Sequence, residues 1–292
     1  MELFNEKCKG IKREDRMMKK RSWKLWLMAF CAVGALTACG GKQTTAGKTD
    51  KVGEEKTEED CFEWEDNFIV GLTESGKKQK SIVIPARCEG LKELPFHDTE
   101  VEEVRFESDR DIPLNGALGL SNLKKVELPG KLCIIGPQEF WQCGQLERIT
   151  IPGTVTSIGD YAFQECGSLK EVNIEEGALE SLGSYVFLHC DALESVTLPD
   201  HLASIGKGAF EQLENLKTIT LPKGIKKIDD NAFLNSGVTD VYIPEEVSLD
   251  EIYETSFGAM DHKVTAHIKK GSWCDQNFEE RLKIVFDEKS YE

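Results

Sequence analysis

The pattern Leu-x-x-Val-x-Ile-Pro, with conservative replacements, returns at Leu123, Leu146, Leu169, Leu193, Leu216 and Val238, at intervals of 23, 23, 24, 23 and 22 residues. Fainter copies begin at Gln79 and Val101. A period of this length restricts the fold severely, because one unit cannot bury its own apolar side chains and must stack on its neighbours. Three residues after the Pro position stands an apolar residue (Cys88, Leu132, Val155, Leu202, Ile225, Val247), and a second generally follows three further on (Leu91, Ile135, Ile158, Ile205, Ile228). A small residue and an aromatic come next, as in Ala162-Phe163, Ala209-Phe210 and Ala232-Phe233, with Phe96, Leu118, Phe140 and Phe257 in the same register.

Each segment of the unit has a conformational reading. Alternating apolar positions, such as Val126 and Leu128 or Ile149 and Ile151, put one face of a short strand inward, and the Pro ends hydrogen bonding along it. Val155-x-x-Ile158-Gly159 predicts a second extended piece turned by its Gly. Asp160 to Cys166 predicts a short helical turn capped by Asp160. The expected fold class is a β-rich α/β solenoid of about eight turns with a cap at each end.

The run Leu146-Glu-Arg-Ile-Thr-Ile-Pro-Gly-Thr-Val-Thr-Ser-Ile-Gly-Asp-Tyr-Ala-Phe-Gln-Glu-Cys166 resembles the 23-residue leucine-rich repeat of the BspA-like family of bacterial surface proteins. The resemblance covers residues 79 to about 262. It extends to Phe68–Lys78, similar to the family's opening strand, and to Lys270–Phe286, similar to its closing helix and strand. Val101 to Asn122 lacks the Pro and the Ile-Gly pair, and Pro244 to Phe257 carries two extra residues, so bulged turns are expected there. The resemblance implies adhesion, with a host protein or a neighbouring microbial cell as the class of partner.

The N-terminus has a different character. Lys19, Lys20, Arg21 and Lys24 precede an apolar run from Leu25 to Leu36, in the order of a secretory signal and too short for the ~30 Å hydrocarbon core of a bilayer. The run closes on Leu36-Thr37-Ala38-Cys39-Gly40, which resembles a bacterial lipobox and implies acylation of Cys39 with removal of what precedes it. Two acyl chains anchor stably where one is marginal. Gly40 to Asp60 is polar, Gly- and Lys/Glu-rich, and reads as a flexible tether. The expected organisation is therefore a signal over 1–38, a tether over 39–60, an N-terminal cap over 61–78, the solenoid over 79–262 and a C-terminal cap over 263–292.

Charge excludes one class of partner. With 36 Lys+Arg against 52 Asp+Glu the net charge is −16, the wrong sign for displacing counterions from nucleic acid phosphates. No phosphate loop, zinc signature or nucleophile elbow occurs, and the five His are scattered, so no catalytic residue, cofactor or metal site is expected. Cys143, Cys166 and Cys190 each stand three residues before the next repeat's Leu. Such a column spaces thiols in a line, whereas a metal needs ligands converging on a point; small buried apolar residues are expected, mostly as reduced thiols. A Cys61–Cys88 link is the one disulfide considered.

The outward strand positions form two columns. One runs Ser81, Glu103, Lys125, Arg148, Glu171, Ser195, Thr218, Asp240, and its neighbour runs Val83, Arg105, Glu127, Thr150, Asn173, Thr197, Thr220, Tyr242. Cross-strand charge pairs are expected for Glu103 with Lys125, Arg148 with Glu171 and Arg105 with Glu127. Toward the C-terminus Asn173, Ser195, Thr197, Thr218, Thr220 and Tyr242 form the candidate binding face, since extended solenoid faces serve recognition and exposed Tyr favours interfaces. An extracellular or host protein, or a glycan, is the expected partner. A spacer of the cell envelope without its own ligand, or a weak carbohydrate-binding module using the same hydroxyls, are the alternatives.

Overall fold

The computed structural model describes residues 58–292, apart from 93–95, 97, 117 and 259–260. The signal segment, Cys39 and the tether as far as residue 57 lie outside the described residues, as does His97. Residues 57–292 form one compact unit.

The strand predicted in each repeat is present, and successive copies lie parallel and in register. Front strands run from Ser81–Ile84 through Glu103–Phe106, Arg148–Ile151, Glu171–Ile174 and Asp240–Ile243 to Thr265–Ile268 and Glu288–Tyr291. Ser81 faces Glu103, Arg148 faces Glu171, Glu171 faces Ser195 and Thr218 faces Asp240. The second extended piece is equally real: Ile134–Ile135, Ser157–Ile158, Ser204–Ile205, Lys227–Ile228 and Glu251–Ile252 form a back ladder. Bridges from Ile158 to Leu182 and from Ser181 to Ser204 keep that ladder continuous. The result is a β-solenoid of about nine turns with few helices. The chain opens with an antiparallel hairpin, Phe62–Glu65 against Phe68–Leu72, so the predicted opening strand is in place.

Between the two ladders lies the apolar interior. The aromatic position forms a ladder of stacked rings, Phe140, Phe163, Phe187, Phe210, Phe233 and Phe257, with centroids 4.6 to 5.5 Å apart. All six are fully buried. Stacked aromatic pairs contribute about 0.5–1.5 kcal/mol beyond the area they bury, so the repeat specifies its own lateral spacing. The Gly of the Ile-Gly pair serves close approach: a Cβ on Gly159, Gly183 or Gly206 would lie 2.5 to 2.8 Å from the backbone of the preceding turn.

The segment Asp160–Cys166 is not the helical turn its sequence predicts. Tyr161 and Glu165 adopt left-handed φ of 60° and 62°, and alternate amides point sideways: Tyr161, Phe163 and Glu165 N–H donate to the carbonyls of Ser184, Val186 and Leu188 on the next turn. Asp160 caps no helix of its own; its Oδ1 accepts from Ser184 N–H at 2.8 Å. Two left-handed columns result, Asn115, Gln138, Tyr161, Tyr185, Gly208, Asn231 and Gln142, Glu165, His189, Gln212, Asn235, Gly258. Lateral bonding won over local helix because it satisfies the same amides while keeping the turns in register.

The C-terminal end also departs from expectation. The helix is short, Trp273–Gln276, followed by a π-turn over Phe278–Leu282. Val285 and Phe286 are buried in the core, and the last strand begins only at Glu288. Strands Thr265–Ile268 and Glu288–Tyr291 continue the front ladder beyond residue 262. Asp275 ties this end together, accepting from Lys289, Gly271 N–H and the Tyr291 hydroxyl, which hold its carboxyl down at about 2.

Candidate functional site

The front ladder is interrupted twice, between Lys125–Val126 and Arg148–Ile151 and again where the candidate face lies. Backbone pairing joins Arg148–Ile151, Glu171–Ile174 and Ser195–Thr197 in one sheet, and Thr218–Thr220, Asp240–Ile243, Thr265–Ile268 and Glu288–Tyr291 in another. Between Ser195–Thr197 and Thr218–Thr220 the ladder lapses, while the back ladder runs on beneath. Ser195, Thr197, Thr218 and Thr220 are exposed, and among the described residues no hydrogen bond engages their hydroxyls. Asn173 is half-buried and faces Thr150 and Thr197. Four free hydroxyls thus flank a seam whose strand edges lack a ladder partner.

Tyr242 is not the free exposed phenol the sequence suggests. It is half-buried, and its ring stacks on His267 with centroids 4.4 Å apart. His267 Nε2 lies 2.6 Å from Asp240 Oδ1, and the Thr239 hydroxyl donates to Asp240 Oδ2 at 2.7 Å. The His267 contact, with the Thr239 bond, pulls the Asp240 carboxyl below the usual carboxylate range. This Thr-Asp-His order differs from a hydrolytic triad, in which His stands between nucleophile and acid. Sequence reading passed over His267 because Thr265–Ile268 lacks the Leu and Pro of the repeat; its spacing from Asp240 was the available signal.

At the N-terminal end the charges answer one another, though not always as expected. Arg148 reaches Glu171 at 3.4 Å. Lys125 turns along its own strand to Glu127 at 2.6 Å, while its backbone partner Glu103 stands across the ladder. The stronger ladder sits one residue earlier: Glu102 binds Lys80 at 3.1 Å and Lys124 at 2.7 Å, and the two lysines lower its pKa.

The cysteine column is interior. Cys143, Cys166 and Cys190 are free and fully buried, and burial pushes the Cys143 thiol well above its ordinary value. Their thiols donate to the carbonyls of Leu118, Phe140 and Phe163. A buried thiol of raised pKa is a poor nucleophile and a poor metal ligand. Cys61 and Cys88 are not bonded to each other, so the considered link is absent. Among the described residues no group of three His, Cys, Asp or Glu is placed to hold a metal.

A groove of about 1050 Å³ opens at the corner that leads into the front strands, spanning four successive turns. Its origin is countable. From ladder Phe to the next Leu or Val there are six residues in the turns of Phe163, Phe187 and Phe210, but five from Phe233 to Val238. The short corner brings Gly237 so near the preceding turn that a Cβ would lie 2.1 Å from the Glu214 carbonyl. The following corner is longer and leans back: His262 Nε2 lies 2.9 Å from the Val238 carbonyl and Nδ1 2.8 Å from Asp261 Oδ1. Both ring nitrogens face acceptors, and the Asp261 contact first, then the Val238 carbonyl, raises the imidazole pKa.

The sequence matches the BspA type leucine-rich repeat region, in six copies, over residues 74–191 and 134–262. The chain belongs to the BspA-type leucine-rich repeat family. No curated protein matches it. Solved structures similar to this BspA-type chain include a leucine-rich repeat protein of T. pallidum, 21% identical over 76% of this chain and 95% of that one, with a TM-score of 0.41. A leucine-rich repeat protein of Bacteroides ovatus is 18% identical over 79% and 74%, TM-score 0.37. The pneumococcal vaccine antigen PcpA is 15% identical over 77% and 83%, TM-score 0.38. In this BspA-type solenoid the cysteine position is occupied by Leu213 and then Ser236 as the groove is approached.

Proposed function

We propose that this chain is a non-catalytic surface protein, acylated at Cys39 and held to the membrane, whose solenoid binds another macromolecule. The single observation that carries the binding half is the seam: Ser195, Thr197, Thr218 and Thr220 present hydroxyls that no neighbour engages, beside strand edges without a ladder partner. Tyr242 borders this face with its ring already ordered against His267. Hydroxyls and amides of fixed position recognise a polar partner with little ordering of their own. The partner is an extracellular or host protein, or a glycan carried on one. Localisation at the outer face of the envelope follows from the basic-apolar leader and the lipobox Cys39. The buried thiols, and an Asp240 that bridges Thr239 and His267, support a role without catalysis.

The test is retention of purified residues 61–292 on immobilised extracellular-matrix proteins, repeated with Thr197, Thr220 and Tyr242 all changed to Ala. Loss of retention with an unchanged unfolding curve is expected. Equal retention by the triple variant removes this face. Metabolic labelling with a fatty acid in a lipoprotein-processing host, lost on Cys39→Ser, tests the anchor.

A further inference from the structure

We infer that the groove at the shortened corner is a second binding site, distinct from the strand face, and that its ligand is an oligosaccharide. At about 1050 Å³ the groove stands at the upper end of the ~300–1,000 Å³ of small-molecule pockets, room for a chain of sugar rings. Its lining carries no Phe, Tyr or Trp and no large aliphatic side chain. Peptide recognition rests on apolar pockets, aromatic grooves or arginine clusters, none of which this groove offers.

What it offers is unused hydrogen-bonding capacity. The carboxylates of Asp191 and Glu214 and the side-chain amides of Gln212 and Asn235 line it without partners among the described residues. Planar carboxylates and amides accept from, and in the amide case donate to, neighbouring hydroxyls. Gln212 and Asn235 occupy equivalent left-handed positions on adjacent turns, φ 63° and 55°, so their side chains repeat at the turn spacing, as sugars repeat along a glycan. Ser236 marks where the corner changes. It is 3% exposed, borders the groove, and its hydroxyl has no partner. The same position in earlier turns holds Cys166 or Cys190, each donating to a carbonyl. Opposite, the His262 ring is fixed by Asp261 and Val238, and Lys217 lines the groove with the carboxylates, leaving the wall of mixed sign and unsuited to a strongly charged ligand.

The experiment is calorimetric titration of the full chain with neutral and N-acetylated oligosaccharides of three to six rings, with oligolysine as a control. The paired change Gln212→Gly and Asn235→Gly deletes both amides while suiting the left-handed backbone, so folding is kept. Binding of at least one oligosaccharide is expected, weakened tenfold or more in the glycine pair and unaltered by the Thr197, Thr220 and Tyr242 triple change. Insertion of one Ser between Ser236 and Gly237, which restores the six-residue corner, abolishes it. No oligosaccharide binding at millimolar concentration, equal affinity in the glycine pair, or binding of oligolysine alone overturns the assignment. Loss only in the triple variant assigns sugar binding to the strand face instead and likewise overturns it.

Discussion

On the front face of the early turns, Glu102 joins Lys80 and Lys124, Lys125 meets Glu127 and Arg148 meets Glu171. Four turns on, Ser195, Thr197, Thr218 and Thr220 have no such partners, and the corner beside them carries the unengaged Asp191, Glu214, Gln212 and Asn235. The ring ladder passes beneath both regions, with Phe163 stacked on Phe187 much as Phe210 is stacked on Phe233. Folding therefore does not require the difference. One set of turns answers its own polar groups, and the other leaves them available.

The largest effect should fall equally on both regions. Phe163→Ala and Phe233→Ala are each expected to destabilise by about 3–5 kcal/mol, from lost apolar burial and the cavity left behind, read by urea unfolding. A large cost in one and a negligible cost in the other breaks the claim of a common interior. Next comes His262, which belongs to the second region alone. Its raised pKa means the stabilisation is fully present below the unfolded value of about 6.5 and is lost as pH rises through the folded pKa. His262→Gln should therefore destabilise at pH 5.5, and the gap to the unmodified chain should shrink toward pH 9; a gap independent of pH would show that imidazolium plays no part. Smallest is Glu102→Gln in the first region. Its carboxyl, held low by Lys124 and Lys80, contributes above the ordinary carboxylate pKa and loses that contribution as pH falls. Because the pair is exposed, the small drop in Tm should fade in ~1 M salt. A drop that persists there would mean the charge ladder does more than surface pairing.

Much of this was legible in the residues. The Leu, Val, Ile and Phe positions declared the solenoid, because a column repeated every 23 residues or so can be buried only by stacking. The strand faces followed from the same register. Asp160–Cys166 misled because an Asp before Tyr-Ala-Phe reads locally as a cap, whereas the adjacent turn supplies carbonyls that local reasoning does not contain. Tyr242 misled for a similar reason, since its neighbour His267 comes from a turn that has lost the motif. The shortened corner was present as an interval of 22, but an interval does not say which part of the turn lost the residue. Only counting from Phe233 to Val238 places the loss where a groove results.

The sideways amide bonds of Tyr161, Phe163 and Glu165 have a mechanical corollary. With every face of a turn fastened chiefly to its immediate neighbours, a pull on one end loads the turns in series, and they detach singly. At about 3.3–3.6 Å per extended residue, each detached turn pays out roughly 75–85 Å of slack, so a tethered molecule under drag lengthens stepwise while the remaining turns keep their shape.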